Sequence, residues 1–277
     1  MLAGIPALLR AQANQAYAAQ MAAYMKGKFV FLGLKAPERR RLVSASAVLK
    51  EFGSPVLFEP AFHAFLRSMF AVSCERELNH VAIDALVHAA KQHKGPATAR
   101  DLDALKAVLL DLTVPPDNLP PPHWDSVDAL ASAWCKFFAL CSKRRKQQEL
   151  DDLYMRSSMW LDRVVIIHQL SLGRDTDRDL LVNSINRALG REWPASLDAH
   201  SHLVSARKAQ AKEFFIAKAI GWSLRQFART DAAWVKAFVE ANDLPVLSQR
   251  EALKHVGAKK RKKDDDDDDG VDFDDDD

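Results

Sequence analysis

Residues 122–128, PHWDSVD, bring together the side-chain types best suited to chemistry on a cation. The proline-rich stretch 115–122 interrupts regular structure just before them. If a helix starts there, Trp124 and Asp128 lie one turn apart, about 40° from each other around the axis, and project from one face. An aromatic plane beside an anion, at a helix start next to irregular backbone, can hold a cationic or cation-forming ligand. The same residues also fit a plain structural role, with Trp124 packed in a core and Asp125 or Asp128 capping a helix. The rest of the chain has to decide between these.

The elements that must position those residues read as helices almost throughout. Apolar residues recur at three and four spacing and strict alternation is rare, so an all-α protein is expected. Pro6 opens a helix over 7–26, and Pro37 opens one running to about residue 52, where Gly53-Ser54-Pro55 breaks it. Further helices are expected over 60–71, 75–93, 98–112, 125–141, 145–156, 159–171, 176–189, 204–229, 231–241 and 249–256. Gly190–Ala199 reads as a loop or insertion. Successive helix pairs of about 35–45 residues fit an α-solenoid, in which no pair buries its apolar face alone and each stacks on the next. An irregular helical bundle is the plainer alternative.

Composition sets the outer bounds. With 277 residues, 31.0 kDa and 48% hydrophobic content, the chain can bury a sizeable core. The formal net charge of +2 hides an asymmetry. Residues 259–263 supply five basic groups and 264–277 supply 11 aspartates; setting these aside leaves 34 basic against 26 acidic residues over 1–258, an excess of +8. Such a body favours an anionic partner. Cys74, Cys135 and Cys141 show neither CxxC nor CxH spacing, so reduced thiols and no zinc site are expected. No apolar run approaches the ~20 residues of a membrane span, so no membrane association is expected. The start has no signal-peptide core, so secretion is not expected. Residues 1–37 lack Asp and Glu, as a transit peptide does, but 21–40 reads as part of the fold. The basic run 259–263 has the composition of a nuclear localisation signal, which makes the chain nuclear if eukaryotic and otherwise cytoplasmic. The expected organisation is a domain over 1–256 and a disordered tail, basic and then acidic, over 257–277.

Four segments, in order, carry a resemblance: MAAYMKGKFVFLGLKAPERR at 21–40, HWDSVDAL at 123–130, SMWLDRVVIIHQL at 158–170, and EFFIAKAIGWSLRQFART at 213–230 continuing into LSQREALKHV at 247–256. Together they resemble the AlkD-type DNA alkylation-repair glycosylases, which are built from HEAT-like (ARM-type) helical repeats. Stretches 59–75 and 190–207 and the acidic tail depart from the pattern. The resemblance implies an α–α superhelix, and removal of N3- and N7-alkylated purines from duplex DNA by cleavage of the N-glycosidic bond. It implies that Trp124 and Trp222 flank the lesion's deoxyribose, that Asp128 faces the anomeric carbon, and that Arg163 meets a backbone phosphate. Tyr24 falls close to the DNA, with Lys26, Lys28 and Arg225 as further DNA-binding residues. It implies a concave face that grips backbone and lesion without an enclosed base pocket, a monomer, and no metal or nucleotide cofactor. Trp160, His168 and His255 read as structural, Asp125 as a cap or first-turn acid, and 143–146 as a basic helix end. The rival expectations are a catalytically silent DNA-binding relative, which has less need of the Asp128 anion, and a protein-interaction scaffold, which would lack a basic stripe.

Overall fold

The computed structural model describes residues 2–27, 29–53, 56–71, 75–115, 123–156, 158–191, 210 and 213–256. They form an all-α helical-repeat fold. The helices are α1 Ile5–Ala11, α2 Gln15–Tyr24, α3 Ala36–Leu42, α4 Ala45–Lys50, α5 Pro60–Ala71, α6 Arg76–Gln92 and α7 Ala99–Thr113. They continue as α8 Trp124–Leu140, α9 Lys143–Met155, α10 Met159–Ile167, α11 Arg178–Ala188, α12 Phe214–Ala228, α13 Ala232–Ala241 and α14 Val246–Leu253. Among the described residues the sole β-type pairing is an isolated parallel bridge between Val30 and Glu75. No described helix is long and apolar enough to cross a membrane.

Alternate helices form a continuous row. α6 packs on α8, α8 on α10, α10 on α12 and α12 on α14, while α5 and α7 pack on each other and against this row. The apolar spacing explains why. In α8, Val127, Leu130, Trp134, Phe137 and Phe138 recur every three or four residues and are buried. Trp134 settles its one polar atom by donating Nε1–H to Thr113 Oγ1 at 3.0 Å. Two apolar clusters result, and their seam runs through α8 and α10: Leu130 and Val165 belong to the larger, Ala131 and Ile166 to the smaller. Asp128 and Arg163 lie on the two helices that share this seam.

Several boundaries differ from expectation for local reasons. The helix expected over 7–26 is two, because Asn14 Oδ1 accepts from Tyr17 N–H and starts a new helix. The one expected over 37–52 is also two, with Ser44 Oγ accepting from Ala47 N–H at 3.2 Å. The last helix begins at Val246, directly after Pro245, rather than at 249. The segments 192–209 and 257–277 lie outside the described residues, and so do the expectations placed on them.

The connector 29–34 is held by buried Glu77 of α6. Its carboxylate accepts from the N–H groups of Leu32, Gly33 and Leu34 at 3.0–3.2 Å. Gly33 has φ +75° there, and a Cβ on it would stand 2.1 Å from the Asn14 carbonyl oxygen. Only glycine fits.

Candidate nucleic-acid interface and excision site

α8 starts where the proline-rich stretch ends, with His123 at its N-cap and Asp125 in its first turn. Trp124 is half-buried and Asp128 is one turn along, as the spacing predicts. The carboxylate of Asp128 is gripped from α10. Arg163 donates Nε–H to Oδ1 at 2.6 Å and Nη2–H to Oδ2 at 2.7 Å, a bidentate pair. Its third arm, Nη1–H, goes to the Phe215 carbonyl on α12 at 2.6 Å. One guanidinium thus ties together three successive helices of the row.

The phosphate contact expected of Arg163 meets a different engagement here: Arg163 lies in the buried run Leu161 to Ile167 of α10, with Nε, Nη1 and Nη2 all turned to protein acceptors on α8 and α12. Arg163 is 4% exposed and Asp128 12%, which makes the carboxylate the outer member of the pair. Burial pushes the Asp128 carboxyl above its ordinary range, against the opposing pull of Arg163. A raised carboxyl is a stronger base, and once ionised it presents an oriented negative charge at the outer edge of a poorly solvated pair.

The other expected residues fall into two groups. Trp222 is half-buried on α12, next along the row from α10, between Lys218 and Arg225 on the same helix. Both cations engage buried Glu251 of α14, Lys218 Nζ at 3.0 Å and Arg225 Nη1 at 2.6 Å, so two positive charges share one carboxylate beside Trp222. At the other end, Tyr24 is exposed as the last residue of α2, and Lys26 is exposed in a tight turn at φ 53°. Lys28 lies outside the described residues.

Trp160 packs against the larger core and against the Phe215 ring at 5.2 Å, a structural place as expected. His168 is structural too: it is buried, with Nδ1 2.8 Å from the Val165 carbonyl, and burial lowers its pKa to about 4. His255 departs from expectation, being exposed in the turn after α14. In the basic start of α9, Arg145 pairs with Glu149 and Asp103.

Sequence reasoning missed what surrounds Asp125. Its carboxylate contacts Arg76 Nε and Nη2 from α6 and His123 Nδ1, with His80 Nε2 of α6 at 3.4 Å. The His123 ring sits 4.3 Å from Phe29, 5.5 Å from Phe31 and 5.8 Å from Trp124. Arg76 and His80 at i, i+4 was the available signal, but it lies 49 and 45 residues upstream of Asp125.

Comparison with known proteins places this geometry. A family described as DNA alkylation repair enzyme matches residues 5–194 and 199–256. The match runs through 59–75, a stretch expected to depart from the family pattern, and breaks only inside the 190–199 stretch expected as a loop or insertion. A solved structure described as a predicted DNA alkylation repair enzyme from Enterococcus faecalis is similar, with TM-score 0.60 and 29% identity, over 89% of this chain and 98% of that one. No curated protein is matched.

Proposed function

Because the chain belongs to the family of DNA alkylation repair enzymes, we propose that it is a glycosylase that excises N3- and N7-alkylated purines from duplex DNA by hydrolysing the N-glycosidic bond. The observation that carries this is Asp128: a carboxylate only 12% exposed, oriented by two arms of Arg163, at the outer edge of the pair and one turn from Trp124.

The chemistry asks for little more. Alkylation at N3 or N7 puts a positive charge on the purine, so the base leaves neutral and the sugar becomes oxocarbenium-like. Asp128 stabilises that developing charge and orients or deprotonates the attacking water. Trp124 and Trp222 would line the sugar with electron-rich faces, stabilising the same cation by the ring quadrupole. Arg163 contributes by fixing the carboxylate. No step requires a metal or a nucleotide cofactor.

Substrate grip follows from charge. Lys218 and Arg225 of α12, and Tyr24 and Lys26 at the end of α2, would contact backbone phosphates. Trp124 and Trp222 are each half-buried, so part of each ring is open to a lesion held at the surface rather than flipped into a deep pocket, the more common solution. The test is a duplex bearing a single 7-methylguanine, incubated with excess protein and then treated with alkali. Strand cleavage at the lesion is expected; binding without any abasic product would favour a silent DNA-binding protein.

A further inference from the structure

The charge cluster at Asp125 is unused by the excision chemistry, yet it adjoins both Trp124 and Asp128. Asp125 follows Trp124 directly and lies three residues from Asp128 on the same side of α8. Three separate stretches converge on it: α6 through Arg76 and His80, the N-cap of α8 through His123, and the connector through Phe29 and Phe31 packed on the His123 ring. The side chains of Asp125, His80 and His123 are 13%, 10% and 6% exposed. Burying so much charge at a helix start is costly, and one small cap would suffice to start the helix. A cluster of this cost within one turn of both Trp124 and Asp128 points to a positioning role.

We propose that Asp125 is a positioning residue for base excision: held by Arg76, with His80 and His123 packed against its other oxygen, it locks the first turn of α8 so that Trp124 and Asp128 face the lesion together. This rests on the excision activity proposed above. The charged and titratable groups facing Asp125 are Arg76 and His80 from α6 and His123 and Asp128 from α8, with Arg163 of α10 beyond Asp128. Burial alone would raise the Asp125 carboxyl, but His80, His123 and Arg76 outweigh it and hold it well below the ordinary range. Burial lowers the His80 imidazole at the same time, so the ionised members of the cluster are Arg76 and Asp125. That anion opposes ionisation of Asp128, adding to the effect of burial.

The test is Asp125→Asn, which keeps the shape and removes the charge. Single-turnover excision of 7-methylguanine should fall roughly 10- to 100-fold, the scale of a small misplacement of catalytic groups, with affinity for the same duplex unchanged. The acid limb of the rate–pH profile should move to lower pH, because the anion opposing Asp128 is gone. Carboxyl carbon NMR of Asp128, identified by the signal lost in Asp128→Asn, should titrate at lower pH too. An unchanged rate overturns the proposal, as does a rate loss with both the acid limb and the Asp128 titration unmoved. If Asp125→Asn fails to fold, Arg76→Gln removes the clamp from the α6 side: a similar rate loss at unchanged affinity supports the proposal, and a native rate overturns it. Should the wild-type protein release no methylated base, the proposed activity fails, while the NMR titration still decides whether Asp125 governs Asp128.

Discussion

A buried carboxylate is useful only while something holds it ionised and aimed, and at Asp128 that is Arg163. Replacing Arg163 by Ala should cost about 3–5 kcal/mol of stability, because it leaves the buried Asp128 charge uncompensated. Urea unfolding checks this. A stability near the wild type, together with a salt dependence of DNA affinity reduced by about one phosphate contact, would return Arg163 to the DNA backbone. The Trp124–Asp128 pair was legible in the sequence, since i, i+4 spacing fixes a shared face wherever a helix forms. The Asp128–Arg163 bond was not. Spacing cannot show that Arg163 is buried with its guanidinium turned to α8 and α12. The Asp125 cluster was hidden for a related reason, its α6 partners being distant in sequence.

At the scale of elements, the helices were legible from period and punctuation, but their splitting at Asn14 and Ser44 depended on single side chains capping backbone N–H groups. Cap residues are small and common, so they stand out only once the backbone they satisfy is known. The tightest joint is the crossing of α12 and α14. A Cβ on Gly221 would stand 2.5 Å from Glu251 Cβ and 2.9 Å from the Ser248 carbonyl, both part of α14 rather than mobile tips. Ser248 Oγ also donates to the Ala217 carbonyl at 2.7 Å across the same joint. Gly221→Ala should therefore force the helices apart and destabilise the protein by about 1–3 kcal/mol. It should also weaken DNA binding, because Glu251 carries Lys218 and Arg225 with it. An unchanged thermal midpoint and affinity would show that the joint yields without cost.

At the scale of the whole molecule, the body over 1–258 carries an excess of +8 and the chain ends in 11 aspartates. Tethered to that body, the acidic segment should compete with DNA phosphates, a linked partner being present at an effective concentration on the order of millimolar. Screening shortens to about 8 Å at physiological salt, so the competition is strongest at low ionic strength. Truncation after Gly257 should tighten DNA binding at low salt, although it also removes five basic residues, and should leave single-turnover excision at saturating enzyme unchanged. Weaker binding after truncation would make 259–263 a DNA-gripping arm instead. The family was legible in the sequence because its four segments span most of the fold.

The proposed excision turns on the charge of Asp128, which Asp128→Asn isolates. Asparagine keeps the shape and removes the charge, a loss worth roughly 2–4 kcal/mol of transition-state stabilisation for one preorganised group, or about 30- to 1,000-fold in rate. Single-turnover excision of 7-methylguanine from duplex DNA should fall by that factor while affinity for the same duplex stays intact or rises. Excision by Asp128→Asn at a near-native rate would remove Asp128 from the chemistry.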